Sequence, residues 1–298
     1  MLRKLKNWCL KPNGISVLLS AQNEEKIIRL CVESFLEFGD EIIIVTNGST
    51  DGTRDICKEL VSEYPEKVQF YDKPDLPDLY HNRAFALTKA KYRWVMRGDA
   101  DYVAYNDEDG KYSIRNLRNR IIQTKAIYPT AFWMEQVNIS VELYLTRKYK
   151  LNHKDLIPPY IGIPYGVGSM PRIYLNTPFL KFGKNGENEG ALYNAFYKQI
   201  FIDQPYWFHI TLKNNEDLFL RTERRNWRKE NNYIIYPTLK SYFEKKILKE
   251  KYHDKSFEEA MHYYIKNILY PSLEKYDETK FFPYPESIKK VLQYEVNN

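Results

Sequence analysis

Short apolar runs alternate with amphipathic segments along the first hundred residues. The runs ISVLLS, EIIIVT, KVQFYD and RWVMRG are bounded by polar residues, which is typical of buried strands. The segments between them, NEEKIIRLCVESFLEF, DGTRDICKELVSEY and YHNRAFALTKA, repeat apolar residues at helical spacing, and Asn23 is the predicted N-cap of the first. Because strands and helices alternate, the pattern predicts an α/β fold whose parallel sheet carries helices on both faces.

Beyond residue 110 the alternation weakens. SIRNLRNRIIQTKAI predicts a helix and TAFWMEQVNISVELYL predicts strands, whereas LIPPYIGIPYGVGSMPRIYLNTP predicts loops around short strands. From Tyr236 to the end the pattern is again helical, and Ser256 and Glu259 stand at capping-box spacing.

Composition and charge narrow the class of protein. A chain of 298 residues with 43% hydrophobic residues suits one large domain, or one domain with an extension. No apolar run approaches the roughly 18 residues of a membrane span, and the basic start MLRKLKNWCLKPNG has no following apolar region, so a cytoplasmic protein is expected. The net charge of +6 is spread along the chain, which favours anionic ligands over nucleic acid. Cys9, Cys31 and Cys57 form no metal-binding or disulfide pattern and are predicted to be reduced thiols.

Two carboxylates end the fourth predicted strand. If strand alternation continues, Asp99 and Asp101 lie on one side while Ala100 points away, and two acids on one side favour a cation. A solvated Asp-rich turn is the alternative interpretation. The polar stretches SAQNEE and TNGSTDGT follow the first and second strands. Because the carboxyl ends of parallel strands meet at one edge, the three loops predict a ligand site there.

The stretches ISVLLSAQNEE, EIIIVTNGSTDGT and NRAFALTKAKYRWVMRGDAD occur in the order seen in family 2 glycosyltransferases, which the sequence resembles over residues 15–103. The resemblance implies a GT-A-type, Rossmann-like, mostly parallel sheet flanked by helices. The implied activity is metal-dependent, inverting transfer of a sugar from a nucleotide sugar to a saccharide or lipid-linked saccharide acceptor, in surface polysaccharide biosynthesis. The expected domains are a transferase domain over residues 1–235, with a donor half (15–110) and an acceptor half (111–235), and a helical extension over 236–298.

The resemblance implies that Asp99 and Asp101 hold Mn²⁺ or Mg²⁺ against the diphosphate of the donor. Hard divalent cations prefer oxygen ligands and typically use one or two carboxylates together with phosphates. His209, near the end of the apolar run PYWFHIT, is expected to be a third metal ligand or a diphosphate contact, with a structural histidine as the alternative.

The same resemblance gives a set of candidate donor-binding residues. Arg83 aligns with an arginine near the diphosphate, and Arg97 is either a second diphosphate contact or a partner that keeps the two acids ionised. Glu24 is equally well explained as an acid in the first turn of a helix. Thr46 and Asn47 replace the Asp-Asp common in the family, so UDP is the first expectation while GDP, CMP and dTDP donors stay open. The predicted donor-binding residues are Ser20, Gln22, Asn23, Glu24, Thr46, Asn47, Arg83, Gly98 and Ala100.

Inverting transfer requires a carboxylate that takes a proton from the acceptor hydroxyl. Glu189 is the first candidate and Asp217 the second, with Glu216 and Glu187 behind them. The segment NNEDLFLRTERR is equally consistent with a helix start that carries acids in its first turn.

Two other functions compete with the transferase. A sugar-phosphate nucleotidyltransferase uses a similar sheet, but its usual Gly-rich signature is absent from SAQNEE. A non-catalytic nucleotide- or glycan-binding module is mildly favoured by Thr46 and Asn47. The basic amino terminus and the Lys-rich KSYFEKKILKEKYH suggest either a peripheral contact with an anionic membrane or a solvated helix face.

Overall fold

The computed structural model describes residues 11–76, 79–107, 110–134, 136–140, 145–147, 160–162, 172–182, 191–193, 196–202, 204–229, 232–279 and 282–289. The chain divides into two compact units. The first comprises Met1–Val137, Leu151–Ile210 and Pro283–Asn298, and the second comprises Asn138–Lys150 and Thr211–Phe282. The units therefore separate near Thr211, whereas the predicted domain boundary after residue 235 stays a prediction.

Strands and helices follow each other through the first unit, and helices dominate the second. The strands are β1 (Ile15–Ala21), β2 (Glu41–Thr46), β3 (Val68–Asp72), β4 (Trp94–Asp99), β5 (Tyr102–Ala104), β6 (Thr130–Met134), β7 (Val137–Ser140), β8 (Leu145–Arg147), β9 (Tyr160–Gly162), β10 (Ile173–Leu175), β11 (Leu180–Phe182), β12 (Ala191–Tyr193), β13 (Tyr197–Ile202), β14 (Trp207–Thr211) and β15 (Leu273–Lys275). The α-helices are α1 (Ile28–Ser34), α2 (Thr53–Glu63), α3 (Leu79–Lys89), α4 (Ile114–Gln123), α5 (Asn215–Arg221), α6 (Arg224–Lys229), α7 (Asn232–Ile235), α8 (Leu239–Tyr242), α9 (Leu248–Tyr252) and α10 (Phe257–Tyr264). A π-helical segment (Phe243–Ile247) joins α8 to α9, and a second one (Ile265–Leu269) followed by a 3-10 turn (Tyr270–Ser272) continues α10.

The centre of the first unit is a sheet whose strand order is β3-β2-β1-β4-β10-β6-β13-β9. β1 pairs in parallel with β2 and β4, and β2 pairs in parallel with β3. β10 runs antiparallel between β4 and β6, and β9 runs antiparallel to β13. The other strands share one direction, so the predicted α/β fold with a mostly parallel sheet is confirmed.

Both faces of the sheet are buried, which explains why its central strands are apolar throughout. Val17 and Leu19 belong to a core that includes α1, α2 and α4, whereas Leu18 belongs to a second core with α3. Successive side chains of a strand point to opposite faces, so each face requires its own set of apolar residues. All seven residues of β1 are buried.

The start of the first helix differs from the prediction. α1 begins at Ile28 with Ile27 as its N-cap residue, and its first turn contains no acid. Asn23 instead has a left-handed φ of 55°, and the chain between it and the helix forms a turn in which Ile28 N donates to Glu24 O over 2.9 Å. The predictions of Asn23 as a helix cap and Glu24 as a first-turn acid were therefore wrong.

Glu41, at the amino-terminal edge of the sheet, is a buried acid with a complete set of partners. Its side chain is 3% exposed, and Oε1 accepts hydrogen bonds from Ser16 Oγ and Lys91 N, both over 2.7 Å. Oε2 accepts a hydrogen bond from Gln69 Nε2 over 2.9 Å. The Glu41 carboxylate, at the start of β2, is thus hydrogen-bonded to the segments at the starts of β1, β3 and β4.

Asp40, the neighbouring acid, joins α4 to the same edge. Arg118 donates one hydrogen bond to each carboxylate oxygen of Asp40 over 2.8 Å, and Ile15 N donates to Oδ2 over 2.8 Å. Burial opposes ionisation of Asp40, but the hydrogen bonds from Arg118 and Ile15 outweigh it and lower the pKa of the carboxyl. Asp40 is therefore ionised at neutral pH.

The second unit packs its helices around aromatic residues. Phe219 from α5 contacts the rings of Phe243 and Phe257, and Tyr242 and Ile247 belong to the same core.

The predicted capping box is confirmed, because Glu259 N donates to Ser256 Oγ over 3.2 Å and Ser256 N donates to Glu259 Oε2 over 2.9 Å. The helical region predicted from Tyr236 to the end of the chain is interrupted by β15, which follows a short 3-10 turn that contains Pro271. In the part of the chain that the structure describes, no helix is long and apolar enough to cross a membrane.

Candidate functional site

The loops after β1 and β2 are held together by hydrogen bonds at the carboxyl edge of the sheet. Asn23 Oδ1 accepts from Thr50 N over 2.8 Å, and Asn23 N donates to Ser49 Oγ over 3.2 Å. Glu24 N donates to Thr53 Oγ1 over 2.7 Å. Asn23, a residue with a left-handed φ, thus contacts the second loop through both its backbone and its side chain. The structure thus brings together two of the loops that the sequence predicts at this edge.

The side chains that end β2 have partners that the sequence does not reveal. Thr46 is fully buried, and its hydroxyl donates to Asp72 Oδ1 over 3.0 Å, which places a carboxylate beside the position where the family commonly has one. Gln22 Nε2 donates to Asn47 O over 3.4 Å, and Asn47 Oδ1 accepts from Asn82 Nδ2 over 3.0 Å. Asn82 is also fully buried, and its Oδ1 has no hydrogen-bond partner among the described residues. The sequence pattern did not identify Asn82 as a site residue, although it directly precedes the candidate Arg83.

Asp99, the last residue of β4, forms ion pairs with Arg83 and Arg97. Arg83 Nη2 makes a short hydrogen bond to Oδ1, Tyr102 OH donates to Oδ2 over 2.8 Å, and Arg97 Nη2 lies 3.4 Å from Oδ2. Burial opposes ionisation of Asp99, but the charges of Arg97 and Arg83 outweigh it and hold the pKa of the carboxyl well below its usual range. Arg97 therefore acts as a partner that keeps Asp99 ionised.

A third arginine, Arg172, approaches the same carboxylate. Its Nη1 lies 4.0 Å from Asp99 Oδ2, and its guanidinium lies over the ring of Tyr102 at 5.6 Å from the centroid. The residue directly precedes β10, and its carbonyl accepts a hydrogen bond from Arg97 N over 2.8 Å. Arg172 was not among the predicted site residues, because nothing in the segment PRIYL indicates that it pairs with the end of β4.

Asp101 lies in the turn between β4 and β5 and contacts His209. The side chain of Asp101 is 6% exposed, and its Oδ2 is 3.1 Å from His209 Nε2. β14 runs antiparallel to β5 with His209 opposite Tyr102, which explains how the two residues meet. Asp101 Oδ1 has no hydrogen-bond partner in the ranges that the structure describes. Strand alternation stops at Asp99, so the two acids have different surroundings.

These contacts determine how a divalent cation would fit. Among the described residues, no group of three or more His, Cys, Asp or Glu side chains is arranged to bind a metal. Both oxygens of Asp99 already face donors, whereas Asp101 Oδ1 is a buried acceptor without one. Since Mg²⁺-type cations use as few as one protein carboxylate together with substrate phosphates, the residues present fit a cation held by Asp101.

Three further candidates surround the end of β4. Ser20 is opposite Asp99 in the pairing of β1 with β4, and its Oγ is buried without a hydrogen-bond partner among the described residues. A Cβ atom at Gly98 would lie 2.6 Å from Leu19 Cδ2, so a larger residue there would displace the side chain of Leu19. Ala100 is 2% exposed and packs in the core, which leaves only its backbone for contact with a ligand.

Of the four predicted proton acceptors, the structure describes Asp217 and Glu216. Glu189 and Glu187 lie outside the described residues. In the second unit, Asn214 caps α5 by accepting a hydrogen bond from Asp217 N over 2.8 Å, and Glu216 pairs with Lys240 at 2.9 Å. The interpretation of this segment as a helix start with acids in its first turn is confirmed, and the catalytic role of Asp217 stays a prediction.

Comparison with solved structures gives matches at low sequence identity. One is S. aureus TarS 1–349 in complex with UDP, which is 15% identical, with 83% of this chain and 76% of that chain covered and a TM-score of 0.45. Another is a mannosyltransferase from Pyrobaculum calidifontis in complex with GDP-Man and Mn²⁺, which is 17% identical, with 43% and 41% of the two chains covered and a TM-score of 0.33.

Sequence comparison gives a curated relative and a family match. A teichoic acid poly(glycerol phosphate) polymerase from Staphylococcus epidermidis is 29% identical over 153 residues, which are 50% of this chain and 20% of the relative. The chain therefore spans about a fifth of the length of that relative. Residues 16–113 match the family described as Glycosyl transferase family 2. The predicted resemblance to family 2 glycosyltransferases is thereby confirmed over those residues.

Proposed function

We propose that this protein is a glycosyltransferase that takes its sugar from a nucleotide-sugar donor. The observation that carries the proposal is the arrangement after β4, inside the stretch that matches the family: an ionised Asp99 bound by arginines lies two residues from Asp101, whose Oδ1 is a buried acceptor without a hydrogen-bond partner among the described residues. A cationic cluster beside an available carboxylate suits a phosphate-bearing ligand with a bound cation.

The residues of this edge have distinct proposed roles. Asp101 holds Mn²⁺ or Mg²⁺ and His209 orients its carboxylate. The cation, when bound, neutralises the negative charge that develops on the leaving diphosphate. Arg83 contacts the diphosphate while it fixes Asp99.

The nucleoside is proposed to lie on the loops after β1 and β2, against Asn23, Glu24, Thr46 and Asn47. Hydrogen bonds between these loops support a preformed surface. Pre-organisation of this kind reduces the entropy lost on binding.

The acceptor is proposed to be a saccharide or lipid-linked saccharide in the biosynthesis of a surface polysaccharide. The similarity to the S. epidermidis polymerase, whose name refers to teichoic acid, supports this class. We infer an inverting mechanism in which Glu189, or failing that Asp217, takes the proton of the acceptor hydroxyl. A cytoplasmic location with peripheral contact to an anionic membrane is also proposed. Exposed lysines such as Lys245 and Lys249 in the second unit support the membrane contact.

The experiment is donor hydrolysis without an acceptor. The protein is incubated with UDP-, GDP-, dTDP- and CMP-sugars in Mn²⁺ or Mg²⁺, and the released nucleotide is measured. One class of donor is expected to be hydrolysed, and Asp101→Asn is expected to slow release about 1,000-fold. Asp75→Asn, a change of an exposed aspartate elsewhere in the first unit, is the matched control and retains activity.

Two outcomes would redirect the assignment. Nucleotide binding without release from any donor, even when cell-wall saccharides are added, would indicate the non-catalytic binding module. Formation of a nucleotide sugar from a nucleoside triphosphate and a sugar phosphate, with release of pyrophosphate, would indicate the nucleotidyltransferase.

A further inference from the structure

The chain returns to the first unit near its carboxyl end. It leaves that unit after Ile210, directly past His209, and enters it again at Pro283. We call residues 283–289 the C-terminal strap. Within the strap, Tyr284 is 7% exposed and Ile288 is 1% exposed, so both side chains are packed against other parts of the protein.

The C-terminal strap contacts the short ladder that β5 and β14 form. Tyr105, the residue after β5, donates a hydrogen bond from its hydroxyl to Pro283 O over 2.5 Å. The ring of Phe208, in β14, lies 5.6 Å from the ring of Tyr284 and 5.7 Å from that of Tyr105. The strap is therefore attached to both sides of the ladder, by a hydrogen bond next to β5 and by a ring contact with β14.

The opposite face of the same ladder carries residues of the candidate site. His209 in β14 contacts the ring of Tyr102 in β5, with 5.3 Å between the ring centroids. His209 Nε2 lies 3.1 Å from Asp101 Oδ2, and Ile210 N donates to Asp101 O over 2.8 Å. Because neighbouring side chains of a strand point to opposite faces, Phe208 faces the strap while His209 faces the site.

The ladder is short and depends on packing at both faces. β5 has three residues, and among the described strands β14 is its one partner, with three residue pairs between them. A strand paired over so few residues requires side-chain packing for a fixed geometry. Tyr102 and Trp207 stack on one face at 5.8 Å and belong to the core of the first unit. The strap supplies packing on the other face, through Tyr284.

We propose that the C-terminal strap positions Asp101 and His209 for the divalent cation, because it holds the β5–β14 ladder from the face opposite the site. The inference rests on the proposed function, since the cation belongs to that reaction. Tyr105 and Tyr284 are positioning residues, which act through Phe208 and the backbone of β14. Groups that orient the ligands of a metal typically change its affinity about 10- to 100-fold when they are lost. Loss of the strap contacts therefore weakens cation binding selectively.

The test measures how strongly Mn²⁺ promotes nucleotide binding. UDP, GDP and dTDP are each titrated into the full chain by calorimetry, in Mn²⁺ and in EDTA, and the Mn²⁺ effect is the ratio of the Kd in EDTA to the Kd in Mn²⁺. We expect an effect of about tenfold or more for at least one nucleotide in the native protein. Tyr284→Ala, which removes the ring against Phe208, is expected to reduce the effect to about threefold or less. Its Kd in EDTA should stay within about twofold of the native value, because the nucleoside is proposed to lie on the loops after β1 and β2.

Two further variants sharpen the test. Tyr105→Phe deletes only the hydroxyl that donates to Pro283 O, and it should reduce the Mn²⁺ effect about twofold. Tyr128→Ala changes a tyrosine of the first unit that is 42% exposed, and this control should retain the full effect. Thermal denaturation is recorded for each variant. A strap with a purely structural role predicts a lower melting temperature for Tyr284→Ala and an unchanged Mn²⁺ effect.

Each contrary result has a separate meaning. An unchanged Mn²⁺ effect in both strap variants overturns the positioning role and leaves the proposed function intact. Equal loss of affinity in Mn²⁺ and in EDTA indicates a general disturbance of the site and also overturns the positioning role. Nucleotide binding that is absent from the native protein, or equal in Mn²⁺ and EDTA, overturns the proposed cation site and the role of the strap with it. If Tyr284→Ala does not fold, the Mn²⁺ effect of Tyr105→Phe decides the question.

Discussion

At the amino-terminal edge of the central sheet, Glu41 and Asp40 have hydrogen-bond partners on every carboxylate oxygen. At the carboxyl edge, Asp101 Oδ1 has none among the described residues, and Asp99 lies within ion-pair distance of Arg83, Arg97 and Arg172. The acids of both edges lie within the first unit, in or beside the strands β2 and β4.

The difference separates acids that serve folding from acids that serve a ligand. A buried polar atom without a partner costs about 1–3 kcal/mol, so a buried acid oxygen left without one is a candidate for contact with a ligand. On this basis we propose that Glu41 and Asp40 stabilise the fold and that Asp101 binds a ligand. Substitutions at the two edges are therefore expected to affect different properties.

The largest effect is expected from Asp101→Asn, which retains the shape of the side chain and removes its charge. We expect kcat for donor hydrolysis to fall about 1,000-fold, as is typical when a group that stabilises developing charge is lost, with a melting temperature close to that of the native protein. Steady-state kinetics and thermal denaturation measure the two properties. A melting temperature that falls with the activity would place Asp101 with the structural acids.

Glu41→Ala is expected to show the opposite behaviour. Loss of the carboxylate leaves Ser16 Oγ, Gln69 Nε2 and Lys91 N without their partner, and we expect the free energy of unfolding to fall by about 3 kcal/mol. Urea denaturation measures the change. The kcat of the folded fraction is expected to be retained, and a selective loss of kcat in a stable Glu41→Ala protein would contradict the comparison.

Acid sensitivity at the amino-terminal edge is expected to depend on Arg118. Because the pKa of Asp40 is lowered in the folded state, its ion pair stabilises the protein above about pH 4 and the contribution disappears as the pH falls through the folded-state pKa. Arg118→Met should lower the free energy of unfolding by about 1–2 kcal/mol at pH 7, and by less near pH 3. Lys58→Met, which breaks the exposed pair with Asp55, is the control and should change little at either pH. A loss that is equal at both pH values would contradict this account.

The smallest effects are expected from removal of one hydroxyl at each edge. Ser16→Ala deletes a donor to Glu41, and Thr46→Val deletes a donor to Asp72. Each should lower the free energy of unfolding by about 1 kcal/mol. Only Thr46→Val should also weaken nucleotide binding, because Thr46 lies at the carboxyl edge. Equal nucleotide affinity in the two variants would remove Thr46 from the proposed nucleoside surface.

Local patterns in the sequence predicted the sheet well, and contacts between distant segments limited what could be predicted of the site. β1 to β4 follow from apolar runs, and the meeting of the loops follows from parallel pairing. Asn23 shows the limit of local rules, since its side chain bonds Thr50 of the next loop in place of its own helix. Arg172 shows the limit for the site, because it approaches Asp99 only through the antiparallel insertion of β10 beside β4.

The most direct test of the central claim, that the carboxyl edge of the sheet binds the donor, is a crystal structure with bound ligand. The chain would be crystallised with Mn²⁺ and with whichever of UDP, GDP or dTDP binds most tightly in solution. We predict the diphosphate against Arg83, the cation on Asp101, and the nucleoside against the loops that follow β1 and β2. A nucleotide bound elsewhere, with Asp99 and its arginines unchanged and without contact to it, would contradict the account.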